Sequence, residues 1–230
     1  MASEDEVKTS SMSHIHAGRE LFLEEMQELR VDVSRETRDQ LEALVHTLGR
    51  WQKAINLVGK GTLEDIWIRH VLDSAQLVPL IPKDARTLVD LGSGGGFPGL
   101  VLAALRPELD VTLIEADVRK GAFLAEAGRR MSLKKQPKVV ISRIETAPPA
   151  KANVLTARAL APLSQLLGWA APHKGDTAIC LFHKGKGWQV EVTEAKKDWD
   201  FEAQPYSSVT DRESVLLRIS QFNAKGLRHR

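Results

Sequence analysis

Apolar residues recur at helical spacing through the first third of the chain. One apolar stripe covers residues 21–29 and a second covers residues 41–55. Ser34 precedes the second stripe and is a favourable N-cap, because its hydroxyl can accept a hydrogen bond from a free N–H of the first helical turn. We expect the apolar side chains of these helices, including Trp51 and Ile55, to pack in a core.

A third helix is expected from Thr62 towards Pro79. Asp65 follows Thr62 by three residues and completes the acidic variant of a capping box, which is weaker than one with glutamate because the side chain is shorter. Trp67 lies on this helix and is assigned to the same core. The N-terminal third of the chain is therefore predicted to be helical.

From Thr87 onwards the pattern changes to short apolar runs that alternate with helical stretches. Helices are expected at 120–131 and 162–170, between the runs. Near-continuous apolar strands that alternate with helices are typical of a parallel sheet covered on both faces, so we predict an α/β fold with a mostly parallel, doubly wound sheet. The expected strands are residues 87–91, 111–115, 138–141, 153–157, 177–182 and 214–222.

The chain contains no internal repeat and no low-complexity linker, and its 230 residues suit one compact unit. We therefore predict an N-terminal helical cap over residues 15–82 on a Rossmann-like core over residues 83–230. Residues 1–14 are acidic and polar and lack the apolar segment of a secretory signal. They are expected to form a disordered lead.

The segment VDLGSGGGFPGL, residues 89–100, places five glycines between the first predicted strand and the next helix. Glycine-rich turns let the backbone approach a ligand closely, and doubly wound folds bind ligands at this carboxyl edge of the sheet. A P-loop is excluded because Leu100 stands where that motif requires lysine. The segment therefore predicts a ligand site of another kind.

A dinucleotide fingerprint is the first alternative for this loop. The spacing G-x-G-x-x-G begins at Gly94, and Glu115 lies about 20 residues further on, at the end of the second strand. Asp90 opposes this alternative, because a carboxylate near a pyrophosphate is an unfavourable like-charge pairing. Pro98 also opposes it, since proline has no N–H to donate to an anion at the start of the helix.

The second alternative is S-adenosylmethionine, which carries a cationic ammonium and a cationic sulfonium group. The same residues fit Asp-x-Gly-x-Gly-x-Gly, with Asp90 followed by Gly92, Gly94 and Gly96. Glu115 would then accept hydrogen bonds from the two ribose hydroxyls, a geometry that two carboxylate oxygens match. A glycine turn without a ligand is the remaining explanation. We predict S-adenosylmethionine as the cofactor.

Five motifs occur in an order typical of one bacterial enzyme family. They are NLV, RHVLDS at 69–74, DLGSGGGFPGLVLA, SRIE at 142–145 and ARALAPL at 157–163. Over roughly residues 40–190 the chain resembles the bacterial small-subunit ribosomal RNA guanine-N7 methyltransferases, the glucose-inhibited division protein B family. The proline inside GSGGGFPG makes this resemblance more specific than a bare class I glycine motif.

The resemblance implies a fold, a reaction and a set of ligand contacts. The fold is that of class I S-adenosylmethionine-dependent methyltransferases, and the reaction is methylation of guanine N7 in the 530 loop of 16S ribosomal RNA. The enzyme is expected to be a cytoplasmic monomer that acts on 16S ribosomal RNA or a small-subunit particle, without a membrane partner. The cofactor contacts implied are Gly92, Phe97, Ile144, Glu145 and Arg158; Arg158 could bind the cofactor's carboxylate or an RNA phosphate.

Charge is unevenly distributed although the formal net charge is only +2. Residues 1–48 carry eleven acidic and five basic residues, whereas residues 119–143 carry eight basic residues and a single acid, Glu126. A concentrated basic segment indicates an anionic partner such as nucleic acid, with a solvated helix face as the alternative. The basic residues of this segment are Arg119, Lys120, Arg129, Arg130, Lys134, Lys135, Lys138 and Arg143.

Guanine N7 has a free lone pair and no proton, so its methylation needs alignment rather than a proton acceptor. Other methylation targets have signatures that differ from this sequence. Methylation of pyrimidine carbon 5 needs a cysteine nucleophile, and Cys180 lies in an apolar run that assigns it to the core. Methylation of exocyclic amines commonly uses Asn/Asp-Pro-Pro-aromatic after the fourth strand, where ARALAPL stands instead. No catalytic residue is assigned.

Four further polar residues could serve the site. His70 and Asp73 lie three apart on the predicted third helix and could face the methyl-transfer pocket, or form hydrogen bonds within the helix. Lys184 and Lys186 follow the fifth strand at the ligand edge, where they could hold RNA phosphates or form an exposed turn. The histidines form no convincing metal-ligand constellation, so no metal is expected.

Two rival functions remain open at this point. One is methylation of a different RNA base, or of a small molecule, by the same cofactor site. The other is a non-catalytic module that binds the cofactor and interacts with RNA. Methyl transfer to ribosomal RNA taken from cells that lack the protein distinguishes all three functions.

Overall fold

The computed structural model describes residues 18–226, in which seven strands form one sheet with helices on both faces. The expected disordered lead, residues 1–14, lies outside this part. Within it, no helix combines the length and apolar character needed to cross a membrane. The strands are β1 (Thr87–Leu91), β2 (Asp110–Glu115), β3 (Lys138–Ile141), β4 (Ala152–Arg158), β5 (Lys174–Lys184), β6 (Trp199–Ser207) and β7 (Val215–Ala224). The helices are α1 (18–28), α2 (Arg35–Trp51), α3 (a π-helical turn, Trp67–Leu72, continued by an α-helical turn, Asp73–Ala75), α4 (Gly99–Leu105), α5 (Val118–Arg130), α6 (Leu163–Ala170) and α7 (Trp188–Asp198).

The strand order across the sheet is β3-β2-β1-β4-β5-β7-β6. Strands β1 to β5 are parallel, and β7 runs antiparallel to both of its neighbours. The order reverses between β1 and β4, which creates the switch point where doubly wound sheets bind ligands beyond their carboxyl ends. The predicted α/β fold with a mostly parallel, doubly wound sheet is confirmed.

Both faces of the parallel strands are buried, as their continuous apolar runs predict. Leu88 and Val154 face a core that is shared with α4, α5 and the N-terminal helices. The next residues along these strands, Val89 and Leu155, face a second core that is built with α6 and α7. Cys180 belongs to this second core and has no exposed surface, so its assignment to the core is confirmed.

The N-terminal helices pack on the first core. Ser34 accepts a hydrogen bond from the backbone N–H of Thr37 at 3.1 Å, which confirms the predicted N-cap of α2. Trp67 is 3% exposed, and Trp51 and Ile55 are half-buried against the same core. Because α2 lies along α5, the apolar stripe of α2 is covered by the α/β part of the chain.

The predicted capping box at Thr62 is wrong. Thr62 closes a short 3₁₀ turn (Lys60–Thr62), and helical backbone resumes only near Trp67. The Thr62 hydroxyl donates to the Gly59 carbonyl at 2.8 Å and lies 2.7 Å from the Nε2 atom of His70. The hydroxyl therefore bonds to a turn and to a distant ring, and a local sequence pattern does not reveal the second partner.

Apolar periodicity predicts the helices at 120–131 and 162–170 to within two residues, but it does not reveal β6 or α7. β6 is an edge strand whose residues alternate between half-buried and exposed, and it contains Pro205. Edge strands tolerate proline and charge because one side of the strand has no partner to pair with. In α7 only Ala195 is buried, so this helix has almost no apolar stripe.

Candidate functional site

The glycine-rich segment forms a tight turn between β1 and α4. Gly92, Gly94 and Gly96 have φ angles of +65°, +51° and +85°, a region that side chains with a Cβ rarely adopt. A Cβ at Gly99 would lie 2.4 Å from the Leu113 side chain, so this glycine lets α4 start directly against β2. The turn therefore places a series of backbone groups at the carboxyl edge of the sheet.

Asp90 lies underneath this turn and has no exposed surface. Its carboxylate accepts hydrogen bonds from the Thr156 hydroxyl at 2.8 Å and from the Gly99 N–H at 3.3 Å. Burial raises the pKa of Asp90 to about 6, against the opposing effect of these hydrogen bonds. The side chain joins β1 to β4 and to the start of α4, so in this structure it supports the glycine turn from below.

Glu115 ends β2 beside the glycine turn and is 9% exposed. One carboxylate oxygen accepts from the Gly94 N–H and the other from the Asp117 N–H, both at 2.8 Å. Each carboxylate oxygen has a further lone pair, so the same side chain can still accept from two hydroxyl groups. The structure thus brings together two residues, Gly94 and Glu115, that are 21 positions apart in the chain.

Ile144 and Glu145 lie in a 3₁₀ turn (Ile144–Thr146) that follows β3 at the same edge of the sheet. The Ser142 N–H donates to the Glu115 carbonyl at 3.0 Å, which keeps this turn close to the end of β2. Glu145 accepts from the indole N–H of Trp169 at 2.9 Å. Glu115, Ile144 and Glu145 therefore form one side of the site, next to the glycine turn.

A cavity of about 470 Å³ opens on the other side of the glycine turn, beyond the ends of β4 and β5. Its lining includes Gly92, Gly94, Phe97 and Arg158 of the predicted site, whereas Asp90, Gly96, Glu115, Ile144 and Glu145 are not among the described residues that line it. The predicted residues therefore fall into two groups, separated by the turn. Further lining residues are His70, Asp73, His183, Lys184, Thr210 and Asp211.

Arg158 is the central cation of this cavity. Its guanidinium donates to the carboxylate of Asp73 at 3.2 Å and to the Arg69 carbonyl at 3.0 Å, and its carbon atom lies 5.3 Å from the centre of the Phe97 ring. A second guanidinium nitrogen lies 2.6 Å from Nδ1 of His70. The cation is therefore held from several directions by α3 and by the glycine turn.

Two histidines of the cavity, His70 and His183, have lowered pKa values. Burial lowers the pKa of His70 to about 3, and the Arg158 charge acts in the same direction. Burial also lowers the pKa of His183, whose Nε2–H donates to the Asp73 carbonyl at 2.7 Å. Both ring nitrogens of His70 have protein partners, Arg158 and Thr62. His70 is thus a bound structural group with no free lone pair for a substrate proton.

Lys184 is the last residue of β5 and Lys186 lies two residues later, and the two differ in their surroundings. Lys184 is 8% exposed and donates to the Ala161 carbonyl at 2.9 Å, and it also forms an ion pair with Glu191. Lys186 has an 83% exposed side chain and pairs with Glu213 at the surface. Lys184 would have to break its ion pair with Glu191 to reach an RNA phosphate, whereas Lys186 projects from the surface.

The basic residues of segment 119–143 form two groups, one at the carboxyl ends of the strands and one at their amino ends. Arg119 and Lys120 start α5, and Arg143 follows β3, so these three residues flank the carboxyl edge that carries the glycine turn. The other five, Arg129, Arg130, Lys134, Lys135 and Lys138, lie where α5 ends and β3 begins. Two cations of this second group are paired, since Lys135 binds Asp110 at 2.9 Å and Arg130 lies 3.6 Å from Glu126.

Gln52 is a site residue that sequence reasoning missed. Its side-chain oxygen accepts from the N–H groups of Leu57 and Val58 at 2.9 and 3.1 Å, and its amide nitrogen donates to the Val58 carbonyl at 2.8 Å. The segment held in this way lines the cavity, and the Leu57 carbonyl lies 3.0 Å from where a Cβ of Gly95 would be. A polar residue just after an amphipathic helix carries no sequence signal for this role.

Solved structures with similar folds include M. jannaschii TYW2 in complex with AdoMet, with a TM-score of 0.52 and 12% identity over 75% of this chain and 80% of that one. Another is a ribosomal protein L11 methylase from Lactobacillus delbrueckii subsp. bulgaricus, with a TM-score of 0.54 and 13% identity over 66% of this chain and 78% of that one. At such low identity these similarities establish the fold alone. The fold is the predicted class I methyltransferase fold.

Sequence relatives cover more than four-fifths of the chain. A ribosomal RNA small subunit methyltransferase G from Paramagnetospirillum magneticum is 50% identical over 192 residues, which is 83% of this chain and 92% of the relative. A protein of the same name from Jannaschia sp. is 47% identical over 84% of this chain and 93% of the relative. Residues 37–216 match the profile of the GidB family, described as rRNA small subunit methyltransferase G. The chain therefore belongs to the rRNA small subunit methyltransferase G family, as the resemblance of its motifs predicts.

Proposed function

We propose that this protein transfers a methyl group from S-adenosylmethionine to N7 of a guanine in 16S ribosomal RNA, within the 530 loop. The observation that carries the proposal is that two candidate binding regions lie on opposite sides of one glycine turn. Glu115 lies on one side of the turn, and a cavity with a central, charge-balanced Arg158 lies on the other. Membership of the rRNA small subunit methyltransferase G family selects ribosomal RNA as the substrate.

The residues on the Glu115 side fit S-adenosylmethionine. Glu115 keeps spare lone pairs for two ribose hydroxyls, and the 3₁₀ turn at Ile144 offers backbone groups and an apolar side chain for the adenine. Gly92, Gly94 and Gly96 leave room for the backbone to approach the amino-acid part of the cofactor. When bound, the cofactor supplies an electrophilic methyl group on a sulfonium. The chain's own task is to hold the donor and the base in line.

The cavity favours guanine N7 as the methylation target, because methylation of N7 does not require a proton acceptor. Four titratable groups of the cavity are engaged within the protein: Arg158 with Asp73, His70 with Arg158 and Thr62, and Lys184 with Glu191. Such groups can orient a base and exclude water, but they are poorly placed to remove a proton. An exocyclic amine or a ribose hydroxyl would have to lose a proton during methylation, whereas N7 does not.

Positive charge passes from the donor to the guanine ring during this reaction, so anionic groups near the base favour the product side of the transfer. Asp211 is an exposed carboxylate that lines the cavity, and the Ser214 hydroxyl and the Glu213 N–H keep its pKa below its usual range. Asp73 also lines the cavity, 3.2 Å from the Arg158 guanidinium. Two carboxylates, Asp73 and Asp211, thus line the cavity together with the cations Arg69, Arg158 and Lys184.

The RNA reaches the cavity through basic residues at the same edge of the sheet. Arg119, Lys120 and Arg143 flank the Glu115 side, and Lys186 flanks the cavity side. A guanine in an unpaired loop can be inserted between them, since specific RNA recognition mostly targets single-stranded loops. The substrate is 16S ribosomal RNA or a small-subunit particle, and the enzyme acts as a cytoplasmic monomer.

The test is methyl transfer from labelled S-adenosylmethionine to 16S ribosomal RNA from cells that lack this protein, followed by nuclease digestion and mass spectrometry. The expected product is 7-methylguanosine from one position. Label on another nucleoside, or on a small molecule only, would assign a different methyltransferase activity. Cofactor and RNA binding without label transfer would assign a non-catalytic module.

A further inference from the structure

A continuous chain of hydrogen bonds connects the N-terminal part of the protein to Arg158. The Arg158 guanidinium lies 2.6 Å from Nδ1 of His70, and Nε2 of the same ring lies 2.7 Å from the Thr62 hydroxyl. The Thr62 hydroxyl in turn lies 2.8 Å from the Gly59 carbonyl. All four residues line the cavity, and His70 is 7% exposed. The chain is therefore part of the cavity wall; its His70 ring is buried, whereas its Thr62–Gly59 bond is exposed.

The direction of every bond in this chain follows from the donor inventory. A guanidinium has only donors, so Nδ1 of His70 must accept. The ring is neutral because burial and the Arg158 charge lower its pKa to about 3, so its one proton is on Nε2. Nε2–H then donates to the Thr62 oxygen, and the Thr62 hydroxyl donates to the Gly59 carbonyl. No alternative assignment satisfies all three bonds.

We infer that Thr62 is a positioning residue that selects the Nε2–H tautomer of His70 and thereby holds Arg158 in its orientation towards the cavity. The inference rests on the proposed function only in assigning a role in methyl transfer to this orientation. Thr62 acts through the His70 ring, which separates it from the guanidinium. Thr62 has this role because its oxygen atom lies 2.7 Å from Nε2 of His70 and accepts the Nε2 proton in a hydrogen bond.

The other tautomer is incompatible with the observed geometry of Arg158. With the proton on Nδ1, two N–H groups would face each other at 2.6 Å, and the guanidinium would have to turn away. Among the residues that the structure describes, three of the five N–H donors of Arg158 have protein partners, which leaves two for a ligand. Rotation of the guanidinium would misdirect these two donors and disturb its position over Phe97.

The direct test is the tautomer of His70 in the full-length protein, read by two-bond ¹⁵N–¹H correlation NMR with histidine labelling at pH 7. We expect the Nε2–H pattern in the wild type and a loss or mixture of that pattern in Thr62→Val, which keeps the shape of threonine and removes the hydroxyl. Thr62→Ser is expected to restore the wild-type pattern. A wild-type ring with its proton on Nδ1 overturns the inference, as does an unchanged tautomer in Thr62→Val.

The functional test is kcat/KM for methylation of 16S ribosomal RNA. Thr62→Val is expected to lower it about tenfold, the effect of one hydrogen bond, and Thr62→Ser to restore most of it. Thr193→Val is the matched control, because the Thr193 hydroxyl donates to a backbone carbonyl on α7, at 3.0 Å, with no contact to the cavity chain. An equal loss of activity in both valine variants would contradict a specific role for Thr62.

A double-mutant cycle separates an effect that passes through His70 from a general loss of stability in Thr62→Val. His70→Asn keeps an acceptor oxygen near the position of Nδ1 and has no tautomers, so Thr62→Val should have little additional effect on kcat/KM in that background. Full additivity of the two changes would refute the coupling. Because the NMR pattern does not depend on activity, a correct tautomer with no methylation of 16S ribosomal RNA would refute the proposed function and leave the role of Thr62 intact.

Discussion

Replacement of Glu115 by glutamine tests the cofactor side of the site most sharply. In the structure its two carboxylate oxygens accept from the N–H groups of Gly94 and Asp117, both at 2.8 Å, and we propose that the same oxygens accept from the two ribose hydroxyls. A glutamine keeps one oxygen, while its NH₂ group must face an N–H donor on the other side. The charge is also lost, although hydrogen bonds to charged groups contribute about 1.5–3 kcal/mol each.

We therefore expect Glu115→Gln to weaken S-adenosylmethionine binding by about 2 kcal/mol, which is roughly 30-fold in Kd. Glu115→Ala should weaken it by about 2–3 kcal/mol, because both oxygens are lost and the glycine turn loses a partner. Isothermal titration calorimetry on the full chain measures the change, with circular dichroism to confirm folding. Glu202→Gln is the matched control, since Glu202 is exposed on the edge strand β6. Unchanged affinity in a folded Glu115→Gln protein would refute the assignment of this side of the turn.

Three further predictions concern pH and RNA. Because the pKa of Asp90 is raised to about 6, the native state holds this proton more tightly than the unfolded chain, so stability should fall by about 3 kcal/mol as pH rises from about 4 to about 6. Asp90→Asn should flatten that part of the Tm–pH curve; an equally steep curve would mean that other groups cause the slope. Charge reversal of Arg119 and Lys186, which flank the carboxyl edge of the sheet, should weaken RNA binding and reduce its salt slope by about one unit per lost phosphate contact, with cofactor affinity constant; an unchanged salt slope would show that these residues do not contact phosphates. Single-turnover methylation at saturating RNA and cofactor should be nearly flat between about pH 6 and 9, and a steep one-proton dependence would indicate a general base and argue against N7.

Much of the fold and half of the site follow from local patterns in the sequence. Continuous apolar runs predict the parallel strands because both faces of those strands are buried, and Ser34 predicts the start of α2 because capping is a local interaction. The glycine turn is predictable for the same reason. Its φ angles are properties of single residues, and a positive φ at Gly92 or Gly94 requires the residue type that the sequence shows.

Interactions between distant residues were decided by the tertiary structure. Arg158 contacts Asp73 and His70, which are 85 and 88 positions away, and no spacing rule connects them. Thr62 has the local features of a helix cap, yet its hydroxyl bonds to a turn and to the His70 ring, so a correct local rule predicts the wrong partner. The β6 strand is absent from the apolar pattern because edge strands are held by backbone hydrogen bonds to one neighbour and need no apolar run.

Burial is the physical reason why local sequence patterns predict some features of this protein and only the tertiary structure decides others. Asp90 and Glu115 have the same charge and both adjoin the glycine turn, but Asp90 has no exposed surface while Glu115 keeps an exposed fraction of 9%. The sequence by itself determined that two carboxylates would flank the turn. Only the packing of β1 against β4 and α4 decided that Asp90 supports the turn from below, since desolvation depends on all the atoms around a group and not on its neighbours in the chain.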